Sequence, residues 1–394
     1  MQNKPYAQII TVGLAIFSML FGAGNLMYPL YVGLQSGANT MYGMMGFILT
    51  AVCLPLLGLV SMILFDGNYE TFFKRLGDSV GNILIFACMI IIGPGLVIPR
   101  IVTLSHTMIA PFLPIPFLQT VTLQSSFAFA LLFLGITLLA TFRENRIVNL
   151  LGKVISPLLL LSLIIIIAKG IFTADVPVPS MVTPLETFKS SFMIGYGTLD
   201  LLGAIFFSSM VIHILKNTMG GTVGFSQKRL ALIGLKAGTL GVSLLALVYI
   251  GMSTLSMYHG HGMNATGDLF RALAFRVLGT HGALIIGTAV LMACFSTAIA
   301  LSAVIAEYFQ LTIFDRKIGY EAALILSLLL CIPLSTFGLD YVMQLTGGPL
   351  VSGIGYPVII AITSCNLAYK LFGFKPIKAP VAITFLVALV SYIW

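Results

Sequence analysis

Hydrophobic residues run through this chain in long stretches that are separated by short polar connections. A helix that crosses a bilayer needs about 20 apolar residues in a row, and most of the stretches reach that length. The pattern therefore predicts an all-α integral membrane protein with about 11 transmembrane helices. The predicted spans are 8–34, 41–65, 81–112, 123–141, 150–170, 190–215, 229–256, 281–310, 320–337, 341–369 and 379–394, with a small external helix expected within 253–280.

Two of these spans are interrupted by glycine near their middle. The first span contains Phe21-Gly22-Ala23-Gly24-Asn25, and the sixth contains Gly195-Tyr196-Gly197-Thr198-Leu199-Asp200. Glycine weakens a helix by roughly 1 kcal/mol relative to alanine, and unpaired backbone at membrane depth survives only where it is buried in protein or lines a cavity. Two such breaks at corresponding positions of two halves indicate the binding site of a secondary transporter. We therefore predict that helices 1 and 6 are broken.

The positions of the breaks also predict two structural repeats, at about 8–170 and about 190–369. Each repeat would hold five spans, so the second would be inverted relative to the first. An extra helix at 379–394 lies outside both repeats. Because no linker or compositional shift divides the chain, we interpret residues 1–394 as a single transmembrane transporter domain.

Composition and charge agree with a membrane protein. Charged residues make up 8% of the chain and the mean hydropathy is +1.07, whereas soluble domains contain about 25% charged residues. The net charge of +8 is distributed asymmetrically, with 14 Lys and Arg on the side of the N-terminus, 4 on the other side and 2 within spans. This bias predicts a cytoplasmic N-terminus and, with eleven spans, a C-terminus on the outer side of the membrane. The expected partner of the basic charge is the lipid bilayer rather than nucleic acid.

The first break offers two kinds of binding group. The amides that begin the second half of an unwound helix suit a carboxylate, and the carbonyls that end its first half are free to bind a cation. A glycine seam for helix packing is the alternative, but Gly22 and Gly24 are two residues apart and do not share a helical face.

The second break leads into Asp200, a carboxylate at membrane depth. Such a group costs about 2.5 kcal/mol or more and is a functional candidate for that reason. Capping of the second half-helix by Asp200 is an alternative that the sequence leaves open. Tyr196 beside it has a ring that can cover a substrate and a hydroxyl that can reach a polar partner.

Two further spans carry polar groups. In span 8, Ala293, Ser296 and Thr297 are spaced i, i+3 and i+4 and lie on one helical face. One carbonyl and two hydroxyls would supply half of an oxygen shell for a small cation, and hydroxyls bonded back to their own helix are the alternative. Arg100 in span 3 is expected to pair with a carbonyl, a carboxylate or water. It is a candidate for holding the broken segments together and for binding a substrate carboxylate.

The sequence lacks the motifs of several other protein classes. No phosphate-binding loop, Ser-His-Asp set or nucleotide domain is present, so neither an enzyme nor an ATP-driven pump is expected. The five cysteines all fall within spans and lack metal-ligand spacing, which predicts no disulfide and no transition-metal site. Cation-coupled symport is the main hypothesis. A proton-coupled carrier of another small amino acid or solute, titrating at Asp200 or Glu307, is the second, and a channel or membrane enzyme is the third.

Several motifs resemble, in order and spacing, the bacterial branched-chain amino acid:cation symporter family. They are Phe21-Gly22-Ala23-Gly24-Asn25-Leu26 with Pro29, Gly33-Leu34-Gln35, Leu54-Pro55-Leu56-Leu57-Gly58, Ile92-Gly93-Pro94 with Ile98-Pro99-Arg100, Gly195-Tyr196 with Thr198-Leu199-Asp200, and Ser296-Thr297-Ala298. The resemblance covers about residues 8–369. It implies a leucine-transporter (LeuT-type) fold and sodium-coupled uptake of leucine, isoleucine and valine across the inner membrane, with no cofactor besides the sodium ion.

The resemblance also implies site residues. The substrate would lie against Leu20, Gly22, Ala23, Gly24, Asn25, Gly195, Tyr196, Gly197, Thr198 and Leu199. Sodium would be bound by Ser18, Phe21, Ala293, Ser296 and Thr297. Arg100 and Asp200 remain structural or gating candidates.

Two features depart from the family pattern. The family usually has a twelfth span, whereas this sequence ends at Trp394 after the eleventh. An acidic residue is expected just before Gly195, and Ile194 stands there instead. The second difference leaves room for a changed substrate or ion preference.

Overall fold

A computed structural model describes residues 4–143, 146–180, 182–219, 227–279 and 282–393, so Trp394 of the predicted eleventh span lies outside the described residues. The α-helices of the first half are α1 (Lys4–Leu20), α2 (Ala23–Ser36), α3 (Thr40–Ile48), α4 (Leu54–Leu64), α5 (Tyr69–Lys74), α6 (Asp78–Ile90), α7 (Val97–Ile109), α8 (Leu123–Thr141), α9 (Ile147–Leu150) and α10 (Ser156–Phe172). Those of the second half are α11 (Pro184–Tyr196), α12 (Asp200–Met219), α13 (Gln227–His259), α14 (Leu269–Leu278), α15 (Ala283–Tyr308), α16 (Tyr320–Thr336), α17 (Leu339–Gly347), α18 (Tyr356–Phe372) and α19 (Lys378–Ile393). Every regular element in the described ranges is helical, which confirms the all-α prediction.

Both predicted helix breaks are present. α1 ends at Leu20 and α2 begins at Ala23, with Gly22 between them in an extended conformation (φ −103°, ψ −162°). α11 ends at Tyr196 and α12 begins at Asp200, and the two helices are bent by 41° relative to each other. The prediction that helices 1 and 6 are broken is therefore confirmed.

The predicted number of eleven spans is not confirmed. Within the described residues, seven helices are long and apolar enough to cross a membrane, or eight if the bent α11–α12 pair forms one span. One of the seven is the 42-residue range Ala23–Leu64, which contains α2, α3 and α4 and turns at Gly37 (φ +50°) between predicted spans 1 and 2. Three further apolar helices are shorter, namely Ala7–Leu20, Tyr320–Thr336 and Lys378–Ser391. The repeat boundaries remain a prediction.

Glycine and proline also disturb other helices. A π-helical turn at Ile91–Gly95 separates α6 from α7, and within it Gly93 leaves the helical conformation (φ −99°, ψ −120°). Pro94 in this turn cannot donate a backbone hydrogen bond, which favours a local bulge. A second π-helical turn at Pro349–Gly355 separates α17 from α18. The segment 253–280 contains a short helix, α14, as predicted, and its external location stays a prediction.

The helix α15 forms the centre of the bundle. It contacts α1, α7, α8, α10, α12 and α16, and its residues from Ala298 to Ala306 are all buried. The helix α13 packs along both α1 and α2, and α12 packs along α4. These contacts place the middle of α15 and the start of α7 beside the two breaks.

Close approach of α2 and α13 requires glycine at one position. A Cβ atom added at Gly33 would lie 2.0 Å from the carbonyl oxygen of Ser253. Nearby, the Ser253 hydroxyl donates to the carbonyl of Pro29 at 2.6 Å. The two helices are thus in backbone contact at this level of the bundle.

We expect Gly33→Ala to destabilise the protein by about 1–3 kcal/mol, because the added methyl group forces α2 and α13 apart. Gly135→Ala is the matched control, since a Cβ atom at Gly135 meets nothing within 4 Å. Thermal unfolding in detergent measures both variants. Equal melting temperatures for the two would contradict the close contact.

Candidate functional site

The two breaks face each other through a buried polar cluster. The Asn25 side-chain amide, in the first turn of α2, donates to the carboxylate of Asp200 at 2.7 Å and also to the hydroxyl of Tyr249. The Tyr249 hydroxyl in turn donates to the same Asp200 oxygen at 3.0 Å. All three side chains are buried. The cluster therefore joins the second halves of both broken helices to α13.

Arg100 pairs with backbone carbonyls of the second break. Its guanidinium donates to the carbonyl of Gly197 at 2.7 Å and to that of Thr198 at 3.3 Å, and only 2% of its surface is exposed. Carbonyls at the end of a helix lack intrahelical donors and carry partial negative charge. Arg100, which follows the Ile91–Gly95 turn at the start of α7, satisfies two of these groups and neutralises part of that charge.

The short segment between α11 and α12 is held in a tight turn. The amides of Gly197, Thr198 and Leu199 each donate to the carbonyl three residues earlier. Leu199 has a φ of +59°, a left-handed conformation that costs a non-glycine residue on the order of 1–3 kcal/mol. Such a conformation persists where surrounding contacts impose it, and Leu199 is buried.

The amides that begin α12 already have partners. The Leu201 amide donates to the hydroxyl of Tyr356 from α18 at 3.2 Å, and the Asp200 amide donates to the Thr198 hydroxyl at 3.4 Å. The Asp200 side chain is directed to Asn25 and Tyr249. Asp200 is thus bonded to side chains of α2 and α13, and its role in transport stays a prediction.

A cavity lies between the breaks. Its polar or backbone-exposing wall includes Gly22, Ala23, Asn25, Arg100, Thr198, Asp200 and Thr297. Its apolar wall includes Leu20, Ile92, Val97, Ile101, Leu199, Phe207 and Leu301. The cavity measures about 30 Å³, and a water molecule needs roughly 10–15 Å³ on this measure. In this conformation it has room for about two water molecules, so a larger ligand requires the walls to move apart.

The predicted cation residues lie where α15 meets the end of α1. The Thr297 hydroxyl donates to the carbonyl of Met19 at 3.0 Å and is 3.4 Å from that of Ser18. A Cβ atom at Gly22 would lie 2.8 Å from the Thr297 hydroxyl oxygen, so glycine permits this approach. The Ser296 hydroxyl donates to the carbonyl of Ala293 at 2.9 Å, within its own helix.

Some of the predicted substrate residues lie away from the cavity wall. The Tyr196 ring packs against Tyr356, with ring centroids 5.1 Å apart. Gly195 faces α3 and its continuation, because a Cβ atom there would lie 1.9 Å from the hydroxyl of Thr50. A Cβ atom at Gly197 would lie 2.7 Å from the hydroxyl of Tyr28. These glycines thus permit close packing around the second break.

Gly24 and Phe21 also lie at the site, together with two tyrosines that the sequence analysis did not predict. A Cβ atom at Gly24 would lie 3.1 Å from the Arg100 guanidinium, and Phe21 is fully buried. Sequence reasoning missed Tyr249 and Tyr356, which bind the ends of the broken helices. The available signal is that each is a tyrosine inside a predicted span, and a buried tyrosine hydroxyl usually finds a hydrogen-bond partner.

Known proteins with related sequences are carriers and permeases. The branched-chain amino acid permease BraB of Bacillus subtilis is 29% identical over 380 residues, which are 94% of this chain and 82% of that protein. A Staphylococcus saprophyticus protein named as a branched-chain amino acid carrier is 30% identical over 396 residues, covering 97% of this chain and 87% of the relative.

Solved structures with the same fold are transporters. The crystal structure of MhsT in complex with L-phenylalanine matches with a TM-score of 0.58 at 17% identity, over 98% of both chains. Mhp1, a nucleobase-cation-symport-1 family transporter in a closed conformation with bromovinylhydantoin bound, matches with a TM-score of 0.62 at 14% identity, over 98% of this chain and 92% of Mhp1. These likenesses confirm the LeuT-type fold.

The family assignment rests on nearly the whole sequence. The profile of the branched-chain amino acid transport protein family matches residues 5–393, and the related proteins above are transporters rather than enzymes. Together with the two broken helices that meet at a buried cavity, this match shows that the chain is a multi-pass membrane transporter of the branched-chain amino acid transport protein family.

Proposed function

We propose that the protein takes up leucine, isoleucine and valine together with sodium across the bacterial inner membrane by alternating access. The observation that carries this proposal is that both helix breaks border one cavity with a polar side and an apolar side. A zwitterion with an aliphatic side chain has the same division of polar and apolar groups. The names of the related permease and carrier support branched-chain amino acids as the substrate class.

The proposed carboxylate position is the start of α2. The amides of Gly22 and Asn25 already donate to the carbonyls of Leu20 and Gly22, which leaves the amides of Ala23 and Gly24 for a ligand. They lie at the start of a helix, where partial positive charge favours an anion, and Gly22 and Ala23 border the cavity. The start of α12 suits this role less well because its amides already bind Thr198 and Tyr356. The aliphatic side chain would then contact the apolar wall that includes Phe207 and Leu301.

The proposed sodium position is the contact between α1 and α15. Ser18 and Met19 supply carbonyls there, and Thr297 supplies a hydroxyl within 3.4 Å of both carbonyl oxygens. The Thr297 hydroxyl proton is now the partner of these carbonyls. A cation bound there in its place, with the hydroxyl oxygen as a further ligand, would hold α1 against α15. If sodium and substrate both favour that arrangement, each increases the affinity for the other.

Proton coupling is the second candidate, and one observation favours it. Asp200 is a buried carboxylate on the cavity wall, and its hydrogen bonds come from the uncharged groups of Asn25 and Tyr249. A carboxylate in such surroundings can exchange a proton when the cavity opens to water. A pH gradient would then drive uptake without sodium.

We also propose an orientation of the chain in the membrane. The asymmetric distribution of lysine and arginine supports a cytoplasmic N-terminus and a periplasmic C-terminus. Protease accessibility of tags at the two termini in right-side-out vesicles reports the orientation directly.

We expect labelled isoleucine to accumulate in proteoliposomes when an inward sodium gradient is imposed and not when potassium replaces sodium. Saturable uptake that is independent of sodium would remove the coupling role. Accumulation driven by an inward pH gradient in sodium-free buffer would favour the proton-coupled alternative.

We expect Thr297→Ala to raise the sodium concentration for half-maximal uptake by roughly 10- to 100-fold, because a hydrogen bond or ligand to a charged group is worth about 1.5–3 kcal/mol. Thr288→Ala is the matched control on the same helix, since the Thr288 hydroxyl binds the carbonyl of Leu284 in its own helix. An unchanged sodium dependence of Thr297→Ala would show that Thr297 is no sodium ligand.

Asp200→Asn separates the two coupling candidates. If sodium is the coupling ion, the variant keeps a sodium-dependent uptake, reduced in rate because the amide alters the bonds to Asn25 and Tyr249. If Asp200 carries the proton, the variant loses accumulation driven by the pH gradient but keeps exchange of labelled for unlabelled isoleucine. Uptake and exchange measured side by side in proteoliposomes distinguish the two outcomes.

A further inference from the structure

A groove opens on the surface of the protein, where α8 ends and α10 begins. Its volume is about 640 Å³, much larger than the cavity between the breaks. Three cationic side chains and several apolar side chains border it, among them Arg143, Arg146, Lys153, Leu139, Phe142 and Val154. The groove shares no lining residue with the cavity between the breaks.

The three cations of the groove are exposed and available to a ligand. Arg143, Arg146 and Lys153 are all exposed. The ion pairs between described residues are Lys74–Glu70 and Arg271–Asp268, so none of the three groove cations has a carboxylate partner within the described ranges. Glu144 lies between two of them in sequence and is outside the described residues. With Glu144 counted, the stretch 143–153 has three basic residues and one acidic residue, a net charge of +2.

The apolar part of the groove continues along the membrane-facing surface of two helices. Leu139 and Phe142, at the end of α8, are 77% and 47% exposed. On α10 and the turn before it, Val154, Leu158 and Leu161 are 50%, 43% and 57% exposed and follow the i, i+4, i+7 spacing of one helical face. In a bilayer, acyl chains cover such a face.

The backbone under the groove is fixed. Lys153 and Val154 belong to a π-helical turn, Leu151–Ile155, and a Cβ atom at Gly152 in this turn would lie 2.1 Å from the carbonyl oxygen of Thr11 in α1. Directly after the turn, the Ser156 hydroxyl donates to the carbonyl of Leu14 at 2.6 Å. The turn is thus packed against the first half of broken helix 1, which holds the Lys153 position in place before any ligand arrives.

We infer that this groove binds an anionic glycerophospholipid, with the lipid phosphate between Arg143, Arg146 and Lys153 and an acyl chain along Phe142 and Val154. Guanidinium groups match phosphate oxygens in charge and geometry. On the topology proposed above, the groove lies at the cytoplasmic face, and the cytoplasmic leaflet carries anionic lipids. The side-by-side arrangement of cations and membrane-facing apolar side chains matches the two parts of a single lipid molecule.

The test compares the binding of phosphatidylglycerol and phosphatidylcholine with the same acyl chains to the detergent-solubilised protein, by native mass spectrometry. We expect wild-type protein to retain phosphatidylglycerol and the variant Arg143→Gln/Arg146→Gln/Lys153→Gln to bind it roughly 10- to 100-fold more weakly, because each basic residue near an anionic lipid contributes about a factor of ten or less. Phosphatidylcholine binding should be equal in both proteins.

A matched control removes the same charge elsewhere on the same predicted face. Arg316, Lys317 and Lys378 are exposed basic residues outside the groove, and the variant with glutamine at all three should bind phosphatidylglycerol within about twofold of wild type. Equal losses in both triple variants would overturn the proposal, since the effect would then follow net charge alone. Glycerophosphoglycerol, the headgroup without acyl chains, should not compete at the same concentration, and full competition by it would also overturn the proposal. A melting temperature equal to that of wild type verifies that each variant is folded.

Discussion

The structure depends on how the protein pairs the backbone groups that two broken helices release inside the membrane. In a bilayer each unpaired amide or carbonyl costs several kcal/mol, so a break is stable only where other groups reach it. Arg100 from α7 satisfies carbonyls of the second break, and Thr297 from α15 satisfies carbonyls of the first. The placement of α7 and α15 beside the breaks therefore helps to stabilise both broken helices.

The two breaks are paired to different extents. At the second break, the hydroxyls of Thr198 and Tyr356 already accept hydrogen bonds from the first two amides of α12, those of Asp200 and Leu201. At the first break, which borders the cavity, the amides of Gly22 and Asn25 donate to the carbonyls of Leu20 and Gly22. The amides of Ala23 and Gly24 have no such partner among the described residues and can bind an anion. This asymmetry supports the proposal that the first break binds the carboxylate of the ligand and that the second break supports the cavity.

Sequence alone predicted the features that arise from local chemistry. The glycine clusters predicted both breaks. The family resemblance implied that Thr297 lies beside helix 1, and the Thr297 hydroxyl does lie against the carbonyls of Ser18 and Met19. The sequence did not predict the contacts that depend on tertiary packing. The ring of Tyr196 lies against Tyr356 instead of the cavity, and Tyr249 contacts Asn25 across 224 positions of sequence, a pairing that no local pattern encodes. The number of spans stays a prediction, because hydropathy alone does not show where one helix ends at a turn and the next begins.

The cavity between the breaks, at about 30 Å³, admits water but no amino acid. Its walls must therefore move apart before a substrate can bind. The most direct test of the account is a double-mutant cycle for thermal stability on Asn25→Ala and Asp200→Ala, the pair that joins the two broken helices at 2.7 Å. Residues in such direct contact show coupling energies of about 0.5–3 kcal/mol, and the account predicts a value in that range. Additive effects of the two substitutions would contradict the claim that the breaks face each other.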